Sequence, residues 1–223
     1  MSWLSQRLIS RSSSSSILAS RANFGKSESN LLEGSSSRLH ALERGSHSSS
    51  RAGTFNASGK MFYSIWLEPP VHVAKPTETF ITEVTRKVPG TPKFLPHVTL
   101  LGAFERSSDE EAVAALDQVC ERLGAKELLP LECKPVSITC GEIRYQCVFL
   151  KLEKTASLTE AYEIADEIVS LPGASSDAFM PHMSLAYGID DVEERLGVGK
   201  KAEDALFKGV LSDGFNVAKI SLW

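Results

Sequence analysis

A seven-residue pattern occurs twice in this chain, as Phe94-Leu-Pro-His-Val-Thr-Leu100 and, 85 residues later, as Phe179-Met-Pro-His-Met-Ser-Leu185. Four of its positions are identical and three are conservative. The flanks repeat as well. The aromatic-rich segment Tyr63-Ser-Ile-Trp-Leu67 begins 34 residues before His97, and Tyr145-Gln-Cys-Val-Phe-Leu150 begins 37 residues before His182. In both cases an amphipathic helical stretch and a Pro-Gly stop, Pro89-Gly90 and Pro172-Gly173, lie between the aromatic segment and the pattern. The chain therefore reads as a duplicated strand–helix–strand unit, which implies two lobes packed about a pseudo-twofold axis.

Local patterning fills in the rest. Met61 to Leu67 reads as a strand that stops at Pro69-Pro70. Phe80, Ile81, Val84 and Val88 recur at helical spacing over Thr77–Val88. Phe94 to Phe104 reads as a strand. Ser108-Asp-Glu-Glu111 is a capping box opening a helix with Val113, Leu116, Cys120 and Leu123 on one face. Strands are expected near Leu131–Cys140 and Tyr145–Leu152. Ser157-Leu-Thr-Glu160 forms a second capping box, for a helix running to about Ser170. Met180–Tyr187 and Phe215–Trp223 read as strands, and Asp190–Leu211 is mostly helical in composition. Strands, hairpin-like pairs and helices in this order give an α+β or mixed α/β class.

Charge divides the chain in two. Residues 1–60 hold eight Lys/Arg against three Glu, and residues 61–223 hold 16 Lys/Arg against 25 Asp/Glu. The first part is crowded with serine and poor in large apolar residues, so it is expected to be a disordered extension. Ser-rich, Arg-rich and acid-poor is also the composition of a transit peptide, which would direct the protein to mitochondrion or plastid. Read as a plain tail, the same segment leaves the protein cytoplasmic. Residues 61–223 form the expected folded domain. No run of about 18 apolar residues offers a membrane span, and a monomer is expected.

The chemistry sits in His-x-Thr and His-x-Ser. Residues i and i+2 of a strand share a face, so His97 projects with Thr99 and His182 with Ser184, while Val98 and Met183 point into the lobe cores. Two imidazoles and two hydroxyls converging on one cleft suit phosphodiester hydrolysis. One neutral imidazole can take a proton from water and one protonated imidazole can give a proton to the departing alkoxide. The hydroxyls can bond the phosphate oxygens where charge builds. This scheme needs no cofactor and no metal. No HExxH, CxxC or P-loop pattern is present, and Cys133, Cys140 and Cys147, spaced by seven, match no zinc motif. The cysteines are expected as buried, reduced thiols. His40 and His47 fall in the N-terminal extension, and His72 is expected in a loop.

On these residues the chain resembles the two-histidine phosphoesterase superfamily, and more closely its plant-type cyclic phosphodiesterases. The matching segments are Tyr63-Ser-Ile-Trp66, Pro92 to Leu100, Tyr145 to Leu150 and Met180 to Tyr187. The resemblance implies a bilobal α+β fold, with antiparallel sheets lining a central cleft and helices outside. It implies opening of ADP-ribose 1″,2″-cyclic phosphate to ADP-ribose 1″-phosphate, a step downstream of tRNA splicing, and of nucleoside 2′,3′-cyclic phosphates to 2′-phosphates. It implies His97, Thr99, His182 and Ser184 as the catalytic set, Tyr187 as a holder of water or phosphate, and Trp66 and Tyr145 as aromatics beside base or sugar. His182 is taken as base and His97 as acid, with the reverse assignment open. The expected partner is a small cyclic-phosphate nucleotide rather than a long nucleic acid. Two rival readings remain: a 2′,5′ RNA ligase-like or 3′-end phosphodiesterase acting on RNA, which a net-acidic domain disfavours, and a non-catalytic nucleotide-binding module.

Overall fold

The computed structural model describes Leu8–Ile9 and residues 61–223. The expectation of a disordered extension or transit peptide falls on residues that lie, apart from Leu8–Ile9, outside the described ones. The strands are β1 (Leu8–Ile9), β2 (Met61–Glu68), β3 (Val98–Arg106), β4 (Leu131–Cys133), β5 (Pro135–Cys140), β6 (Val148–Leu152), β7 (His182–Ala186), β8 (Phe215–Val217) and β9 (Lys219–Leu222). The helices are α1 (Val71–Lys87), α2 (Asp109–Ala125), α3 (Ala156–Val169) and α4 (Val192–Ala202), the last running into a π-helical turn over Glu203–Phe207. A seven-stranded sheet has the order β1-β9-β2-β3-β7-β6-β5, antiparallel except for the short β1–β9 pairing, and β4 and β8 form a separate antiparallel pair.

The duplicated unit is visible as β2–α1–β3 in one lobe and β6–α3–β7 in the other. The lobes meet where β3 and β7 run antiparallel, with Val98 directly opposite Met183. Both side chains are wholly buried. Each lobe's helix crosses the seam, α1 packing on β7 and α3 on β3. The two lobe sheets are thus continuous through one pairing, and neither lobe has a core independent of the other.

Alternation explains the layers. In β2, Tyr63, Ile65 and Leu67 are buried, and they face the helices together with Val98, Leu150 and Met183. Residues between them face the other side. α2 presents Ala112, Leu116, Val119 and Leu123 to the core, with Val113 and Cys120 at the margin of that stripe. Its N-cap is Ser108, whose hydroxyl accepts from Glu111 N at 3.3 Å. The Tyr63 hydroxyl donates to Asp109 at 2.6 Å and ties β2 to the first turn of this helix. At Gly199 of α4 a Cβ would stand 2.5 Å from Cys140 Sγ, so only glycine lets this helix lie so close to β5.

Several expectations are corrected. α1 starts at Val71, not Thr77, with Pro76 inside it, so His72 is an exposed helical residue. The cap of α3 is Thr155, which accepts from Leu158 N at 3.2 Å, not Ser157. The strand expected over Leu131–Cys140 divides at Lys134, and that over Phe215–Trp223 divides at Ala218; each serves two sheets. Tyr145 lies in a 3₁₀ turn, Arg144–Gln146, ahead of β6. All four cysteines are free thiols; Cys133 and Cys147 are buried, Cys120 and Cys140 partly so.

Candidate active site

The Val98–Met183 pairing decides where the histidines go. Residues directly opposite on antiparallel strands put their side chains on the same face. Val98 and Met183 share the core face, so His97, Thr99, His182 and Ser184 share the other. A local twofold axis runs through the same pairing and relates His97-x-Thr99 to His182-x-Ser184. The four candidate catalytic residues are therefore brought to one face at the junction of the lobes.

Both imidazoles are held the same way. His97 Nδ1 lies 2.7 Å from the Leu95 carbonyl oxygen, and His182 Nδ1 lies 2.9 Å from that of Met180. A carbonyl only accepts, so each Nδ1 carries a proton and each Nε2 is left for chemistry. In each copy the accepting residue is separated from the histidine by a proline, Pro96 or Pro181. The fixed proline φ holds the carbonyl where the ring of the second residue on can reach it. This is a structural reason for the Pro-His pair in the repeat.

The surroundings of the two rings differ. His97 is 6% exposed. Its ring stacks on Trp66 with centroids 3.4 Å apart and planes 5° from parallel. Trp66 also stacks on Trp223 at 4.4 Å and 17°. Two rings that close cannot share one face of an indole, so His97 and Trp223 cover opposite faces of Trp66. Register accounts for this row: Trp66 pairs with Thr99 on one side and with Ser221 on the other. The flanking role implied for Trp66 beside base or sugar is thus confined to its edge. Burial pushes His97 down to about 4; the Leu95 carbonyl and Glu68 oppose the shift and His182 adds to it. His182 is half-exposed and meets the Phe149 ring edge-on at 5.3 Å.

Ser184 is buried, and its hydroxyl donates to the Tyr145 carbonyl at 3.3 Å. Thr99 is half-buried on the same face. Tyr187 stacks on Phe94 at 4.0 Å and meets Tyr145 edge-on at 5.5 Å. Burial raises the Tyr187 phenol, and a hydrogen bond with Ser184 opposes this. Gly188, at φ 67°, turns the chain after Tyr187 and leaves room for the Arg144 guanidinium, which a Cβ would approach to 3.3 Å. Tyr145 is 66% exposed, so one ring of the cluster is open to a ligand.

Sequence reasoning missed Phe94, Phe149 and Trp223 as members of the aromatic shell. Phe149 had a usable signal, since it occupies in the second lobe the register position of Trp66 in the first: Phe149 pairs with Ser184 as Trp66 pairs with Thr99. Trp223 had none. Among the described residues no three His, Cys, Asp or Glu cluster as a metal site would require.

Comparison with known proteins gives a family and two similar proteins. Residues 61–219 match the family described as cyclic phosphodiesterase-like protein. A cyclic phosphodiesterase of Arabidopsis thaliana is 29% identical over 143 residues, covering 64% of this chain and 74% of that protein. Among solved structures, Escherichia coli LigT complexed with phosphate aligns over 60% of this chain and 74% of its own, with 15% identity and a TM-score of 0.36.

Proposed function

Since the chain belongs to the cyclic phosphodiesterase-like family, we propose that it opens nucleotide cyclic phosphates with its two imidazoles as acid and base and without a metal. The substrates are ADP-ribose 1″,2″-cyclic phosphate, giving ADP-ribose 1″-phosphate, and nucleoside 2′,3′-cyclic phosphates, giving 2′-phosphates. The observation that carries this reading is the seam register, which puts both His-x-Thr/Ser pairs on one face.

The burial of His97 supports the reverse of the two assignments, with His97 as base and His182 as acid. An imidazole held near 4 is neutral at pH 7, so His97 is free to accept a proton and holds none to give at Nε2. In this scheme Nε2 of His97 removes a proton from water as its oxygen attacks phosphorus. His182, protonated, delivers a proton from Nε2 to the departing ribose oxygen: O3′ of a 2′,3′-cyclic phosphate, or O2″ of the ADP-ribose compound. One P–O bond forms and one breaks, and the enzyme ends with the proton exchanged between its rings. Thr99 and Ser184 donate to the non-bridging oxygens, Ser184 by turning its proton away from the Tyr145 carbonyl. Tyr187 closes the side next to Ser184.

Incubation of the protein with either cyclic phosphate in EDTA, followed by phosphorus NMR, tests the reading. The expected outcome is undiminished turnover, with the phosphate retained on O1″ or O2′. No turnover of either compound, with or without divalent metal, would refute it.

Burial of His97 has a consequence for pH. The singly protonated pair is the active form whichever ring holds the proton, so the acid limb of kcat/KM marks loss of the neutral His97. That limb is expected near pH 4 and not near the 6.5 of an ordinary imidazole. A pH series on the free enzyme checks this; half-activity at about 6.5 would show that His97 is not desolvated in solution.

A further inference from the structure

The twofold relation at the seam is broken by charge. Extending the β2–β3 register by one pair sets Glu68 beside His97, and the corresponding position beside His182 is Lys151, which pairs with it directly. Glu68 is neutralised within its own lobe by an ion pair with Lys219, the residue opposite it on β9. Lys151 forms no ion pair among the described residues and is exposed. Its alternation with Leu150 and Leu152, both buried, confirms that it stands on the histidine face. Glu153, two residues on, serves Lys134 instead, raising that amine behind the larger effect of Glu132.

Beside Lys151 on the next strand lies Ser137, and beside Phe149 lies Thr139. The two hydroxyls are 3.1 Å apart and on the same face. A free ammonium and a pair of hydroxyls thus extend the face beyond His182, over β6 and β5. The corresponding rim beside His97 has its carboxylate and ammonium already paired.

We infer that Lys151, with Ser137, binds a second anionic group of the substrate, a diphosphate carried away from the cyclic phosphate, and so sets the direction in which an extended nucleotide leaves the site. The inference rests on the cyclic phosphodiesterase reading above. The adjoining cyclic phosphate lies between the histidines, and the diphosphate oxygens accept from Lys151 Nζ and Ser137 Oγ. Lys151 is a specificity residue and takes no part in proton transfer.

The test compares a nucleoside 2′,3′-cyclic phosphate with the same compound bearing a 5′-diphosphate. Lys151→Met is expected to lower kcat/KM for the diphosphate compound by about tenfold or more, through KM, as loss of a charge-assisted bond should. For the unsubstituted compound the loss is expected to stay within about twofold, the scale of a screened surface charge. Lys151→Arg should restore the preference. Equal losses on both compounds, or none on either, would overturn the inference. A wild-type protein that opens neither compound would instead remove the reading on which it rests.

Discussion

His97→Ala and His182→Ala are each expected to lower kcat by about 10²–10⁴-fold, the scale on which a general acid or base contributes. The two are distinguished by leaving group. A 4-nitrophenyl phosphodiester departs without help from an acid, so His182→Ala should recover most of its loss on that substrate. His97→Ala should not, because water still has to be deprotonated. Steady-state kinetics of both variants on both substrates decide the matter. Recovery of His97→Ala and not of His182→Ala would restore the sequence-based assignment, with His97 as acid. Near-normal turnover of either variant on the cyclic phosphate would break the pairing altogether. Removing both rings should cost little more than removing one, since residues acting as a unit do not add.

The second large effect is on stability. Met183 sits between His182 and Ser184 and is wholly buried opposite Val98. Met183→Ala is expected to destabilise the domain by about 2–5 kcal/mol, the usual range for a buried large-to-alanine change. Met183→Leu, which nearly conserves volume, should cost under about 1.5 kcal/mol. Urea unfolding of the three proteins, followed by far-UV circular dichroism, reads this directly. Because α1 and α3 both cross the seam, the transition should remain single in each variant. Two separated transitions in Met183→Ala would show that the lobes hold cores of their own. A loss below about 1 kcal/mol would show that the seam is not packed as described.

Much of this architecture is legible in the amino-acid sequence because the repeat carries both fold and chemistry. The Pro-His pair fixes the imidazole, the alternating positions separate core from cleft, and the duplication supplies the twofold axis. The features that escape are those in which tertiary context overrides a local signal. The apolar spacing of Phe80, Ile81, Val84 and Val88 suggests a helix start near Thr77, yet α1 already begins after Pro70 and carries Pro76 inside it, without the N–H that would bond His72. Thr155 outcompetes the Ser157 box because a cap is chosen by where the chain turns as well as by its spacing. The divisions at Lys134 and Ala218 each fall on one exposed residue that follows a buried one, Cys133 or Val217, so the local pattern reads on as ordinary strand alternation.

The candidate site divides along the same line. His97, Thr99, His182 and Ser184 are named by pattern, and the seam register collects them. The difference between the two imidazoles is not in the pattern, because both read Pro-His. It comes from Trp66 and Trp223, which stack behind His97, while Phe149 offers His182 only an edge. Trp223 reaches that stack because its backbone pairs with Ser64 in both directions, N–H to carbonyl at 2.9 and 2.7 Å. A tryptophan 157 residues from its partner Trp66 carries no motif that would announce the contact.

The central claim is that two imidazoles from separate lobes hold one phosphate between them. Long-range proton–nitrogen NMR of the histidine rings, recorded while a nucleoside 2′-monophosphate is added, tests it most directly. The Nε2 resonances of His97 and His182 are expected to move together and to saturate with the same dissociation constant. A titration in which only one ring responds, or in which the two respond with different constants, would contradict the account.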